Sequence, residues 1–527
     1  NEFINAYKTS KLLRIVIKLY VLKIFWKYLV NIGTPKFKDS NFKIKPKYLA
    51  NIKFNGLHSS KISLNNIKYA CNEMRQIFKS NVTRKVEARK EQLNNLMRLL
   101  NENQDDIVNA LYKDLGRDKF MAIAGDVGAV KGEIKYLLKN LKRLIAPKRK
   151  GMSIATFPAI DYVIPEPYGT VYINGIWNFS FNLTFIPIAG CIAAGNNVVV
   201  KPCNTACESS KLISDLLYKY MDSKFVQVIG HPSVGTDYEI TDKILENEFD
   251  FIMFTGSSNG GKYIMSKAAK YLTPVLLELG GKNPTIVDES ADIGLAARQI
   301  ISARNINCGQ MCISPDYVLC HENNMDKFID ESKKYINKWF KMDGNEYLND
   351  EHQGIIVNDK QFKRVTDMIK NTNGEVICGG NFDSKTRKVQ PTLVKLNDYN
   401  DSSMEQETFG PVLWVLPIKN IEEAVNYINT RDKSLSLYMF SKNNKNIDYV
   451  VNNTSSGGTE INGVASYLGN HNLGFGGVGR SGMGSYHGDY TFYTFSHVKP
   501  VVKKLAEGSL FYPPRNTKFK MNLLKRL

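Results

Sequence analysis

Apolar residues along this chain follow two different spacings, and the change falls near residue 150. Between Asn81 and about Gly116, Val86, Leu93, Leu96, Met97 and Leu100 recur at helical spacing, which predicts helix with one apolar face. Asp105 can cap a stretch that follows. Residues 130–145 read as another helix, ending at Pro147. Beyond it come short β-branched runs at Thr170–Ile176, Asn197–Val200, Phe225–Ile229 and Phe249–Phe254, with helical stretches such as Leu183–Ala194 and Glu208–Met221 between them. A second alternation follows Glu278: Thr285–Val287, a helix near Ile293–Ala303, Tyr317–Leu319, a helix near Asp326–Phe340, and Glu375–Cys378. Strands alternating with helices predict an α/β fold built on parallel, doubly wound sheets. Two such domains are expected to meet near Glu278. Asn443–Asn453 reads as a surface helix or loop. Residues 473–488 carry too many glycines for a regular element and read as an ordered loop.

Length agrees with this division, because 527 residues exceed what one compact core usually serves. No run of about 18 uninterrupted apolar residues exists, so no ordinary spanning helix is expected. The net charge of +19 suggests nucleic acid until it is located. Residues 1–50 carry +9 and residues 499–527 carry +7, leaving +3 for the 448 residues between. A middle this close to neutral offers no broad phosphate-binding face. Basic ends point instead to targeting or to an anionic membrane surface, against the plainer reading of solvated lysine-rich tails. Residues 12–30 are basic and acid-poor like a transit peptide, but lack its serine richness, and Arg14, Lys18, Lys23 and Lys27 prevent a clean amphipathic helix. The chain opens on Asn1 rather than Met, which allows a start upstream. Eight irregularly spaced cysteines favour a reducing, intracellular setting over a disulfide framework.

The chemistry concentrates in a few segments. Cys312 closes Asn307-Cys308-Gly309-Gln310-Met311-Cys312, and Glu278 lies in Glu278-Leu279-Gly280-Gly281-Lys282. A thiol can attack a carbonyl and a carboxylate can activate water to release the acyl group. Alone, each has a bland reading: a packed cysteine and a capping carboxylate. Thr255-Gly256-Ser257-Ser258-Asn259-Gly260-Gly261-Lys262 follows a predicted strand and makes an anion site or an ordinary turn. It nearly spells a nucleotide-binding P-loop, but Tyr263 stands where Ser or Thr would bind magnesium. Asn178, after the strand ending at Ile176, is an oxyanion donor or a turn residue. Cys308, Cys312, Cys320 and His321 match no common zinc spacing, and no metal is expected.

Together with Lys201-Pro202 and Glu407-Thr408-Phe409-Gly410-Pro411, these segments resemble the aldehyde dehydrogenase superfamily in order and spacing. Asn182-Leu183-Thr184, Pro315-Asp316-Tyr317 and the glycine-rich Phe475–Gly488 resemble its class 3 branch, which includes fatty aldehyde dehydrogenases. The similarity runs from about Leu64 to the end. It implies a Rossmann-like NAD(P)-binding domain (61–149 and 166–279), a catalytic domain (280–474) and a bridging arm with the C-terminal tail (150–165 and 475–527), after a basic extension (1–60). Cys312 would be the nucleophile, forming a thiohemiacetal and then a thioester. Asn178 and the Cys312 amide would hold the oxyanion, and Glu278 would activate the hydrolytic water. Lys201 would meet the adenosine ribose of NAD or NADP. Gly256, Ser257 and Gly261 would lie along the pyrophosphate, with Glu407 and Phe409 at the nicotinamide ribose. The substrate would be a medium- or long-chain aliphatic or an aromatic aldehyde, and the assembly a homodimer.

Three departures bear on this. Asn204 stands where the family usually has a Glu facing the adenosine ribose, so NADP is expected to be tolerated better than usual. Met311 replaces Thr beside the nucleophile, and Ser180 replaces Pro after Trp177-Asn178-Phe179. Lys518–Leu527 is short, basic and amphipathic, consistent with surface association at most. Two other readings are an acylating enzyme that passes its thioester to coenzyme A, and an inactive scaffold. The presence of Glu278 disfavours the first; Cys312, Glu278 and Asn178 together disfavour the second.

Overall fold

A computed structural model describes residues 61–504, apart from 152, 154, 155, 157, 158, 341, 343–345 and 350–352. The expectations for residues 1–60 and for the tail after 504 lie outside the described residues. Strands in chain order are β1 Lys148–Arg149, β2 Ala159–Pro167, β3 Thr170–Asn174, β4 Asn197–Lys201, β5 Val226–Val228, β6 Phe251–Gly256, β7 Val275–Leu279, β8 Pro284–Val287 and β9 Tyr317–His321. They continue with β10 Glu375–Cys378, the short hairpin β11 Phe382–Asp383 and β12 Lys388–Val389, β13 Thr392–Lys395, β14 Val412–Ile418, β15 Ser436–Phe440, β16 Gly458–Ile461, β17 Gly482–Met483 and β18 Ser496–Lys504.

Two mixed sheets result. The first has the order β17-β7-β6-β3-β4-β5. Strands β3 to β7 are parallel and joined by helices Asn182–Ala194, Cys207–Tyr220, Asp237–Leu245 and Ser258–Ala269. Chain order reverses at the β3–β6 boundary, the Rossmann arrangement that opens a crevice at the strands' carboxyl ends. Its strands are buried on both faces: Val171, Ile173, Val198, Val200 and Met253 enter one core, while Tyr172, Val199, Ile252 and Leu277 enter another. That explains why they read as unbroken apolar runs. The second sheet has the order β10-β13-β14-β9-β8-β15-β16 and repeats the pattern, with Leu319, Trp414 and Met439 on one face and Val318, Leu413 and Phe440 on the other. A third sheet, β1-β2-β18, joins the segment after the first helices to the strand that ends the described chain.

The α/β expectation holds, with one difference. The sheets are not wholly parallel, since β10 pairs antiparallel with β13 and β17 with β7. The loop of residues 473–488 supplies β17, so part of it is strand, with Gly482 opposite Glu278. Helices Val86–Glu102 and Gln104–Leu115 divide the early helical pattern; Asn103 is the N-cap and Asp105 lies in the first turn. Residues 122–128 form a π-helix that no sequence pattern marks. Among the described residues no helix is long and apolar enough to cross a membrane.

Candidate active site

Glu278 is the penultimate residue of β7, and β7 ends beside the turn that leads from β6 into helix Ser258–Ala269. Its side chain is 3% exposed, and neither carboxyl oxygen has a hydrogen-bond partner among the described residues. Burial alone pushes the carboxyl well above the ordinary carboxylate value.

Cys312 follows a strained loop. Asn307, Cys308 and Gly309 all have left-handed backbone, at φ of 52°, 56° and 71°. Only glycine suits the third position, because a Cβ there would sit 2.1 Å from the Gly410 carbonyl oxygen. Such a path persists only where the surroundings hold it. Here Gln310 Nε2 donates to the Asn307 and Ile355 carbonyls at 3.1 and 3.0 Å. Asn283 Nδ2 donates to the Cys312 carbonyl at 2.8 Å. Burial first, then the Glu407 and Glu278 carboxylates, push the Cys312 thiol up to about 12. All three effects favour the neutral thiol over the thiolate.

Asn178 lies after β3 and is buried, its Oδ1 without a partner and its Nδ2 donating to the Gln310 carbonyl at 3.2 Å. Its backbone carbonyl accepts from the Arg117 guanidinium and from Asn307 Nδ2. Arg117 also pairs with buried Asp126 on the π-helix and donates to Asn307 Oδ1 at 3.3 Å. Asp126 in turn accepts the Phe181 and Asn182 amides at the start of the next helix. One buried ion pair thus ties Asn178 to the loop that presents Cys312.

A cavity of about 450 Å³ joins these groups. Asn178, Glu278 and Cys312 line it with Gly256, Ser257, Glu407 and Phe409. Ser257 caps the helix, accepting the Gly260 amide at 3.2 Å. Glu407 reaches Gly280 so closely that a Cβ there would fall 2.2 Å from its Oε2. Burial first, then the Asp316 charge, push Glu407 up to about 8. Its segment is anchored by Arg364, which donates to the Glu407 and Thr408 carbonyls at 3.0 and 2.7 Å. Phe409 meets Trp177 edge-on at 5.5 Å.

Two expected cofactor residues lie outside the lining. Gly261 faces β7, where a Cβ would meet Leu279 at 2.9 Å, so its missing side chain serves close helix–strand packing. Lys201 is buried at the end of β4, its Nζ 2.6 Å from Asp237 Oδ1. Arg117, Asp126 and Asp237 escaped the sequence reading, because their partners lie in other segments and no local spacing marks them. The left-handed path of Asn307 was open to detection, since asparagine followed two residues later by glycine tolerates that conformation. The eight cysteines are free where described, and among the described residues no group of three or more His, Cys, Asp or Glu could hold a metal ion.

A Rossmann switch point with a helix N-terminus on the cavity is an arrangement that takes a dinucleotide, and a thiol and a buried carboxyl line the same cavity. The volume fits a cofactor-sized site. The chain belongs to the aldehyde dehydrogenase family, whose model matches residues 57–501. It is 39% identical over 447 residues to rat aldehyde dehydrogenase family 3 member A2, covering 84% of this chain and 90% of the relative. It is 36% identical to 4,4'-diaponeurosporen-aldehyde dehydrogenase of Staphylococcus aureus, covering 87% and 98%. It is 37% identical to the mouse enzyme named aldehyde dehydrogenase, dimeric NADP-preferring, covering 86% and 99%. Among solved structures, the substrate-bound state of Staphylococcus aureus AldH superposes with a TM-score of 0.83 at 35% identity, covering 88% of this chain and all of that one. The protein is an NAD(P)-dependent oxidoreductase that converts an aldehyde to its carboxylic acid.

Proposed function

We propose that Cys312 is the nucleophile, Asn178 the oxyanion donor and Glu278 the general base for an apolar aldehyde of medium or long chain, or an aromatic one. The observation that carries this is the sealed, unpartnered carboxyl of Glu278 in the same cavity as Cys312 and Asn178. Ionised Glu278 takes the thiol proton, and Cys312 Sγ bonds to the carbonyl carbon. The carbonyl electrons move to oxygen, where Asn178 Nδ2 and the Cys312 amide donate to the negative charge. Gly256 and Ser257 hold the cofactor phosphates, Lys201 the adenosine ribose, and Glu407 with Phe409 the nicotinamide ribose; Gly261 lets the helix approach. When bound, NAD(P) supplies the two-electron oxidation. Once Glu278 has passed the first proton to solvent it takes a proton from water, whose oxygen attacks the Cys312 thioester, and that proton goes on to the departing Cys312 thiolate. The C–S bond breaks, the acid leaves and the thiol is restored.

The preference for an apolar chain is supported by the packing around Cys312. Met311, Ile313, Phe475 and Tyr486 are buried in the core against which Cys312, Phe179 and Leu468 pack. The Staphylococcus relative, named for a large terpenoid aldehyde, is consistent with this. The six-stranded sheet would serve as the cofactor domain, the seven-stranded sheet as the catalytic domain, and β1, β2 and β18 as the arm. A homodimer is supported by the relative named dimeric. The basic ends would make at most surface contact with a membrane.

The test is purified protein with decanal and each cofactor, followed by mass spectrometry of variants. Cys312→Ala is expected to abolish turnover. Glu278→Gln is expected to accumulate an acyl-enzyme on Cys312. Full steady-state activity in Glu278→Gln, or coenzyme A-dependent release of the acyl group, would contradict the assignment.

A further inference from the structure

The carboxyl edge of β4 carries a charge arrangement that does not follow from its own segment. Lys201 is the last residue of that strand, where a ligand lies in an open α/β sheet. Its stem crosses Gly230, at which a Cβ would fall 2.7 Å from Lys201 Cγ. Its Nζ donates to Asp237 Oδ1 at 2.6 Å and to the Pro202 carbonyl at 3.2 Å. Asp237 comes from a different loop, as the first residue of helix Asp237–Leu245, where the helix dipole favours a negative charge. The same Oδ1 accepts the Asn204 amide at 3.0 Å. The Asn204 side chain is engaged elsewhere: Nδ2 donates to the Gly235 carbonyl at 3.3 Å, and Oδ1 accepts from Ser210 Oγ at 2.8 Å. The absence of a carboxylate at position 204, which led to the expectation that NADP is well tolerated, is therefore offset by Asp237.

Exposure decides which of the pair a ligand meets. The Lys201 side chain is 2% exposed and the Asp237 side chain 34%. Lys201 is engaged by its partner, whereas Asp237 Oδ2, which receives the Cys203 thiol at 3.6 Å, keeps further acceptor capacity. A carboxylate suits the two donors of a ribose diol and opposes a 2′-phosphate.

We infer that Asp237 is a specificity-determining residue at the adenosine ribose and makes the enzyme prefer NAD to NADP. This rests on the reading that the adenosine ribose lies at the end of β4, beside the Lys201–Asp237 pair. Overall likeness to a relative named NADP-preferring does not carry the preference to this chain, because the charge is set by the segment around Asp237.

Calorimetric titration of the full chain with NAD and with NADP, without aldehyde, tests this in the wild type and in Asp237→Asn, Asp237→Ser and Lys201→Met. Melting curves check that each variant is folded, and Asp237→Asn keeps the side-chain shape. Wild type is expected to bind NAD about tenfold or more tighter than NADP. Both Asp237 variants are expected to narrow that ratio about tenfold, chiefly by tightening NADP. Lys201→Met is expected to weaken both cofactors. A wild-type preference for NADP, or an unchanged ratio in both Asp237 variants while Lys201→Met still weakens binding, overturns the role of Asp237 and leaves the ribose reading intact. No effect of any of the three substitutions on either cofactor rejects the ribose reading itself.

Discussion

Glu278 is buried near the end of β7, in the wall of the cavity. Its carboxyl is buried and has no hydrogen-bond partner among the described residues, so the charged form is disfavoured in the folded state. The folded pKa is raised above the unfolded one. Stability from the neutral form is fully present below the unfolded value and is lost as pH rises towards the folded value. In that window each pH unit costs about 1.4 kcal/mol. Glu278→Gln cannot ionise, so its melting temperature is expected to exceed that of wild type at about pH 8, with the gap closing towards pH 4. Scanning calorimetry across pH measures this; a gap that is constant with pH would contradict it. With Glu278 as the proposed base, the same shift is expected to make wild-type turnover rise with pH as Glu278 ionises, and Glu278→Gln is expected to lose that limb. At this scale the sequence was informative. Cys312, Glu278 and Asn178 were legible as candidates because the order and spacing of their segments together resemble one family, whereas each alone reads as a packing, capping or turn residue. Asp237 was not, since its meaning comes from Lys201 in another strand.

Elements were legible where burial is two-faced. Strands such as β3, β4 and β6 appear as apolar runs because both sheet faces are covered, and their bounds fall within a few residues of the expected ones. The π-helix at Ala122–Gly128 was invisible, because its hydrogen-bond register leaves no spacing to count. Yet it carries Asp126, and through Arg117 it holds both Asn178 and the loop before Cys312. Arg117→Met leaves Asp126 buried without its cation, an expected loss of about 3–5 kcal/mol. If the variant folds, kcat is expected to fall about 100-fold with KM little changed, because the groups remain but are misplaced. Arg117→Lys is expected to recover part of the rate. Stopped-flow measurement of acylation separates this from a general loss of folded protein. Gly309→Ala is expected to be worse still, since the Gly410 carbonyl occupies the space a Cβ needs. Loss of Cys312 alkylation at unchanged far-ultraviolet circular dichroism would be the signature.

At the scale of the whole molecule, two sheets with separate cores face one cavity, and neither could form the site alone. β7 brings Glu278 and β6 ends in the glycine turn, while the segments before β9 and β14 bring Cys312 and Glu407. This division was legible in the two alternating stretches around Glu278. The third sheet was legible only through family resemblance, as β2 and β18 lie far apart in the chain yet pair along nine residues. A dimer is expected to sediment at twice the 59.6 kDa of the chain and to lose mass on dilution without unfolding first. A species at monomer mass across the concentrations used in activity assays would count against it.

The short strand β17 has a consequence for biosynthesis. Gly482 pairs with Glu278 itself, and Gly482 is translated long after the five parallel strands β3 to β7 and Cys312. Nascent chain can hold the parallel strands and Cys312, but the edge beside Glu278 closes only near the end of synthesis. The protein is thus expected to be inert while it is being made. Ribosome-stalled chains that stop before Phe475 are expected to show no dehydrogenase activity, however well their first sheet has folded.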